Sequence, residues 1–251
     1  MTDKPLKILI ADDTILYRSV LQKIVRSAPN VESLGAVVNG EEALKAMKRN
    51  PADLVLLDVE MPVMNGLEAL KQLKLLYPRT GVIMVSAANQ SSAEHTIAAL
   101  EIGAIDFVKK PEGGTAEESC ESLRTELLPL IEAFRESGTR GSPVSIARAS
   151  VAVPAAAVAP KAPPQTFGVP KKWRPADLVV IGVSTGGPNA LAEVVPQLGA
   201  DFPAPVLIVQ HMPAMFTVSL AASLSARGGL PVREARHGEA LLPGVALIAP
   251  G

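Results

Sequence analysis

The chain has 251 residues, room for two domains of roughly 100–150 residues each. Its 24 basic and 25 acidic residues nearly cancel, so net charge does not point to nucleic acid or an anionic membrane surface as the partner. The single cysteine, Cys120, excludes an internal disulfide or a cysteine-built metal cluster, and no segment stays apolar long enough to span a bilayer.

Residues 6–11 read as a buried strand, and 15–28 carry Leu16, Val20 and Ile24 at helical spacing. The alternation then repeats. Strands are expected at 31–38, 53–57, 81–86 and 105–108, and helices at 41–49, 66–77, 92–102 and 116–136. Cys120 lies on the apolar stripe of the last helix with Leu123, Leu127, Leu130 and Phe134, which reads as a buried hydrophobe. Strand–helix units in this order imply an α/β fold with a parallel, doubly wound sheet. Such sheets bind ligands at the carboxyl ends of their strands.

From 137 to 172 the texture changes. Pro143, Pro154, Pro160, Pro163, Pro164 and Pro170 are spread through Ala, Ser and Val with no apolar period. This is a flexible linker by composition, with a short alanine helix at 155–159 as the alternative. The division is therefore 1–136, linker, and 173–251. In the last part, strands are expected at 177–182, 205–209, 230–234 and 245–249, and helices at 189–198 and 214–226. Pro188 fits the first helical position. Such a domain rarely ends on a buried strand, so this one is expected to continue past Gly251 as an incomplete Rossmann-like sheet.

The first part gathers chemistry at one pole. Asp12 and Asp13 follow the first strand, Asp58 ends the third and Ser86 the fourth. Lys110 follows the fifth and is held by Pro111. Three carboxylates together call for a hard cation, and Mg²⁺ suits them because it accepts a few carboxylates and keeps waters. A cation and Lys110 would let Asp58 attack a phosphoryl group. One such Asp is commonly just a helix cap. The full set resembles a response-regulator receiver domain over residues 5–135. The resemblance implies that Asp58 accepts the phosphoryl group and that Asp12, Asp13, Asp58 and the carbonyl of Glu60 hold Mg²⁺. It also implies that Ser86 and Lys110 bind phosphoryl oxygens, and that Phe107 is the switch aromatic.

In the second part, an apolar strand runs into Gly182-Val183-Ser184-Thr185-Gly186, a G-x-S-x-G pattern at a strand-to-helix turn. The following helix start offers unpaired N–H groups to an oxyanion. A second apolar strand runs into His211, a base at the same end. His95 on a helix face and His237 in a polar turn fit that role less well. The turn alone is a weak signal, and nucleotide binding is the lesser reading because no P-loop lysine follows. A third, carboxylate member could come from Glu193, Asp201, Glu234 or Glu239. Asp201 lies at the wrong end of its strand and Glu193 on a helix face. Glu234 and Glu239 stay open, and the acid is expected beyond Gly251.

With Ile-Gly-Val-Ser-Thr-Gly-Gly-Pro, Val-Gln-His-Met and Ile-Ala-Pro-Gly, the whole chain resembles the chemotaxis response regulator protein-glutamate methylesterase family. The resemblance implies a serine hydrolase of receptor glutamate methyl esters that also deamidates receptor glutamines. Ser184 would be its nucleophile and His211 its base, with no cofactor in the esterase part. Partners would be a chemotaxis histidine kinase and methyl-accepting chemoreceptors, in the cytoplasm, without nucleic acid or membrane insertion. The alternative is a non-enzymatic response regulator whose second domain only binds a partner.

Overall fold

A computed structural model describes residues 4–87, 90–111, 113, 115–136 and 176–251. The expected linker and the alternative helix at 155–159 lie outside the described residues.

The first sheet is built from β1 (Leu6–Ala11), β2 (Val31–Val37), β3 (Leu54–Asp58), β4 (Gly81–Ser86) and β5 (Asp106–Lys109). The order is β2-β1-β3-β4-β5, with every pairing parallel. Five helices connect and follow the strands: α1 (Ile15–Ser27), α2 (Gly40–Arg49), α3 (Gly66–Leu76), α4 (Gln90–Ile102) and α5 (Ala116–Glu136). Side chains alternate across the pleat, so each strand feeds two cores. Leu9, Val55, Leu57, Val82 and Met84 pack on the side of α2, α3 and α4. Ile8, Ile10, Leu54, Leu56 and Ile83 pack on the side of α1 and α5, where Cys120 is also buried. Asn39 and Asn65 cap α2 and α3, and Asn65 forms a capping box with Glu68. From β1 and β3 the strand order runs in opposite directions, which opens a crevice at their carboxyl ends.

The second sheet has β6 (Val179–Val183), β7 (Val206–Gln210), β8 (Val232–Glu234) and β9 (Ala246–Ile248). Its order is β6-β7-β9-β8, again parallel throughout. The helix after β6 differs from expectation at both ends. α6 (Gly187–Val194) starts one residue before Pro188, so the proline takes the second position. It gives way to a 3₁₀ turn over Val195–Gln197. Pro196 lacks the N–H that would continue the ladder. α7 (Ala214–Ala226) matches its expected span. It is apolar on more than one side because it packs against β8 and against α4.

The two parallel-sheet α/β units touch through α4 and β5. Asn189 Nδ2 donates to the Ala104 carbonyl at 2.9 Å. Arg227 pairs with Glu101 at 3.2 Å, and Ser223 donates to the same carboxylate. Phe107 meets Phe216, so one apolar cluster continues from one unit to the other.

Candidate functional site

The crevice between β1 and β3 holds the first group of site residues. Asp12, Asp13 and Asp58 each offer an oxygen, and these atoms lie within 4.8 Å of one another. Asp12 and Asp58 are buried, whereas Asp13 is exposed. Lys110 bridges the buried pair, with Nζ 2.6 Å from Asp58 Oδ2 and 2.8 Å from Asp12 Oδ2. The donor set fits a small divalent cation: three carboxylates close together, one of them open to water. Glu60 N–H donates to Asp58 Oδ1 at 3.4 Å. A groove of about 460 Å³ opens beside the cluster, lined by Asp13, Glu60 and the exposed His95 among others.

Burial pushes the Asp58 carboxyl up to about 6, against the opposing pull of Lys110. Asp12 is raised for the same reason. Burial alone would lower Lys110, but the two carboxylates outweigh it and hold the ammonium above its ordinary value. Backbone packing around Asp58 is close as well. A Cβ on Gly66 would fall 2.0 Å from the Asp58 carbonyl oxygen, so only glycine lets α3 start there. Ser86 is buried at the end of β4, and its Oγ accepts from Thr96 Oγ1 at 3.0 Å. The neighbouring Lys110 N–H donates to the Ser86 carbonyl at 2.7 Å.

The second group lies at the carboxyl rim of the other sheet. The β6–β7 register pairs Val183 with Gln210, so Ser184 and His211 are the next residues on adjacent parallel strands. Parallel neighbours are about 4.8 Å apart in the pairing direction. His211 N–H donates to the Val183 carbonyl at 3.0 Å, and Gln210 Nε2 donates to the Ser184 and His211 carbonyls at 3.1 and 3.2 Å. Ser184, Thr185 and His211 are exposed along their free edge. Gly186 turns the chain with φ 71°, a left-handed conformation that frees the elbow from Cβ strain.

The acids weighed from sequence are engaged elsewhere or stand apart. Glu234 accepts from Thr217 Oγ1 at 2.5 Å, and Glu239 pairs with Arg233 and accepts from Arg236 N–H at 2.9 Å. Glu193 and Asp201 are exposed, and Asp201 precedes β7 rather than following it. His237 is exposed in its turn. The carboxylate that does approach the elbow is Asp106, from the other unit. The Gly186 N–H, the Thr185 hydroxyl and the His211 imidazole all favour its charged form. Burial raises the Glu126 carboxyl of α5, offset in part by Lys109 and by His211. Burial pushes the Asp106 carboxyl up to about 6, partly offset by its hydrogen bonds from Phe107, Gly186 and Thr185. Sequence reading missed Asp106 because it sought the acid only after Ser184. The one local signal is an acidic residue directly before Phe107 on an edge strand.

Known proteins match both parts of the chain. The description "Response regulator receiver domain" matches residues 8–118, and "CheB methylesterase" matches residues 179–251. A protein-glutamate methylesterase/protein-glutamine glutaminase of Desulfotalea psychrophila is 40% identical over 99% of this chain and 68% of its own length. One of the same name from Bacillus subtilis is 39% identical over 98% of this chain and 67% of its own. Among solved structures, the response regulator domain of Thermotoga maritima CheB is 33% identical. It covers 56% of this chain and 99% of that chain, with a TM-score of 0.47. The chain belongs to the protein-glutamate methylesterase/protein-glutamine glutaminase family.

Proposed function

We propose that this chain is a phosphorylation-activated protein-glutamate methylesterase and protein-glutamine glutaminase, acting in the cytoplasm on methyl-accepting chemoreceptors. Residues 1–136 form the receiver, 137–172 the linker and 173–251 the catalytic part. The observation that carries the reading is the β6–β7 register, which sets Ser184 beside His211 at one rim.

Ser184 Oγ attacks the γ-ester carbonyl while His211 takes its proton. His211 returns the proton to the departing methoxide, so methanol leaves. Water then attacks the acyl-enzyme and frees the carboxylate and the serine. A glutamine side chain presents a similar carbonyl and loses ammonia by the same steps. The Gly186 N–H, which favours the Asp106 carboxylate in the docked arrangement, becomes available to a developing oxyanion once the receiver moves away.

In the receiver, Asp58 is the nucleophile toward a phosphodonor, a chemotaxis histidine kinase. Asp12, Asp13, Asp58 and the Glu60 carbonyl would hold Mg²⁺, which neutralises phosphoryl charge when bound. Lys110 exchanges its carboxylate partner for a phosphoryl oxygen, and the Ser86 hydroxyl, close by on β4, takes another. Phe107 then turns away from Phe216, loosening the contact between the two units.

The test is methanol release from a methylated receptor by the full-length protein. Ser184→Ala should abolish it, and substantial surviving turnover would contradict the assignment.

A further inference from the structure

Gln210 is the last residue of β7 and is buried, 6% exposed. Its Nε2 donates to two backbone carbonyls, Ser184 at 3.1 Å and His211 at 3.2 Å. These belong to the proposed nucleophile and the proposed base. The ladder between the strands ends at the Val183–Gln210 pair, so the carboxamide continues the bridge just past the last backbone pairing. Its orientation is set by chemistry. Two carbonyls need a donor, and an oxygen turned toward them would meet only lone pairs.

The other end of the side chain is unusual. Gln210 Oε1 is buried and meets no donor among the described residues. It lies over Gly187, where an added Cβ would fall 2.0 Å from it. An unpaired buried acceptor is costly, and a methionine would fill the space without that cost. The α6 start even has a glycine at the point of closest approach. A polar side chain held against such a penalty is explained by what its amide holds together.

We infer that Gln210 is a positioning residue, whose carboxamide fixes the Ser184 elbow and the His211 loop at the separation that proton transfer requires. The inference rests on the esterase reading above. Gln210 touches neither substrate nor the reacting atoms. It acts through the backbone of the two residues that do. Displacement of reacting groups by about 1 Å costs on the order of a hundredfold in rate.

The experiment measures kcat and KM for methanol release by the phosphorylated full-length enzyme, its Gln210→Met and Gln210→Glu variants, and Ser184→Ala in parallel. Methionine keeps the bulk and removes both donors, and glutamate keeps the shape and turns donor into acceptor. Both should lose about a hundredfold in kcat with KM within about twofold, the mark of lost alignment rather than lost binding. Intact Asp58 phosphorylation and cooperative unfolding would show that they are folded. Wild-type kcat in either variant overturns the inference, as does a loss confined to KM. Unfolding of both variants also overturns it, by making the amide a folding element. Turnover persisting in Ser184→Ala would instead sink the esterase reading, and the positioning role with it.

Discussion

Phe107 of β5 packs its ring on Phe216 of α7, with centroids 4.4 Å apart and planes tilted by 41°. Phe216 is fully buried and sits in the first turns of the helix that follows His211. The residue that resemblance marks as the receiver's switch is thus a wall of the contact beside the elbow. An aromatic pair contributes about 0.5–1.5 kcal/mol beyond its buried area. Phe216→Leu keeps much of the apolar volume but removes the ring pair, weakening docking by about 1 kcal/mol, or roughly fivefold in the docked-to-open ratio. Esterase rates of the unphosphorylated protein should rise by up to about that factor, with little change after phosphorylation. An unaltered unphosphorylated rate would count against the contact as the restraint.

Asp106 gives docking a pH dependence. Its carboxyl is pushed up to about 6 by burial in the docked state, against an ordinary value of 3.8. With the carboxyl returning to its ordinary value on opening, the docked state binds the proton more tightly than the open one. Its advantage is complete below the ordinary value and is lost as pH rises through about 6. Interdomain energy transfer between dyes on α2 and β8 should report more docking at pH 5 than at pH 7. A His211→Gln background keeps Asp106 as the group under test. Asp106→Asn should flatten the dependence, and an unchanged slope in that variant would reassign it to another group.

Much of this arrangement is legible in the sequence, and the failures have physical causes. The first strand, the β4 strand, α5 and α7 fall at their expected bounds because their apolar periods are unambiguous. Each of the other elements shifts at one end or both, where the apolar periods fade. α6 stops early because Pro196 removes a donor, a local rule that apolar spacing alone overlooks. The acids of the first crevice converge because parallel strands share a carboxyl end, so strand order alone predicts their meeting. Asp106 and Thr185 meet only through the packing of one unit on the other. No period or motif encodes that contact, and pattern reading had no means to find it. Gln210 was in view within Val-Gln-His-Met, yet its role depends on two carbonyls that only coordinates reveal.

The acidic cluster predicts a metal requirement. Lys110 already neutralises part of the charge of Asp12 and Asp58, but an incoming phosphoryl group adds more anion to the same crevice. Chelating divalent cations should therefore abolish phosphorylation by a small-molecule phosphodonor, and Mg²⁺ should restore it. Asp58→Asn should take up no phosphoryl group and show no phosphodonor-dependent rise in esterase rate. Phosphoprotein formed at full rate in chelator, or in the variant, would exclude this crevice as the site.

The most direct measurement concerns the hydroxyl and the imidazole themselves. A serine-directed fluorophosphonate is added to the full-length phosphorylated protein, and the adduct is mapped by mass spectrometry in wild type and in His211→Gln. The register of β6 and β7 predicts an adduct on Ser184, formed about 10²–10⁴-fold more slowly without the base. An adduct at another residue, or undiminished labelling of Ser184 in His211→Gln, would contradict the pairing of these two side chains.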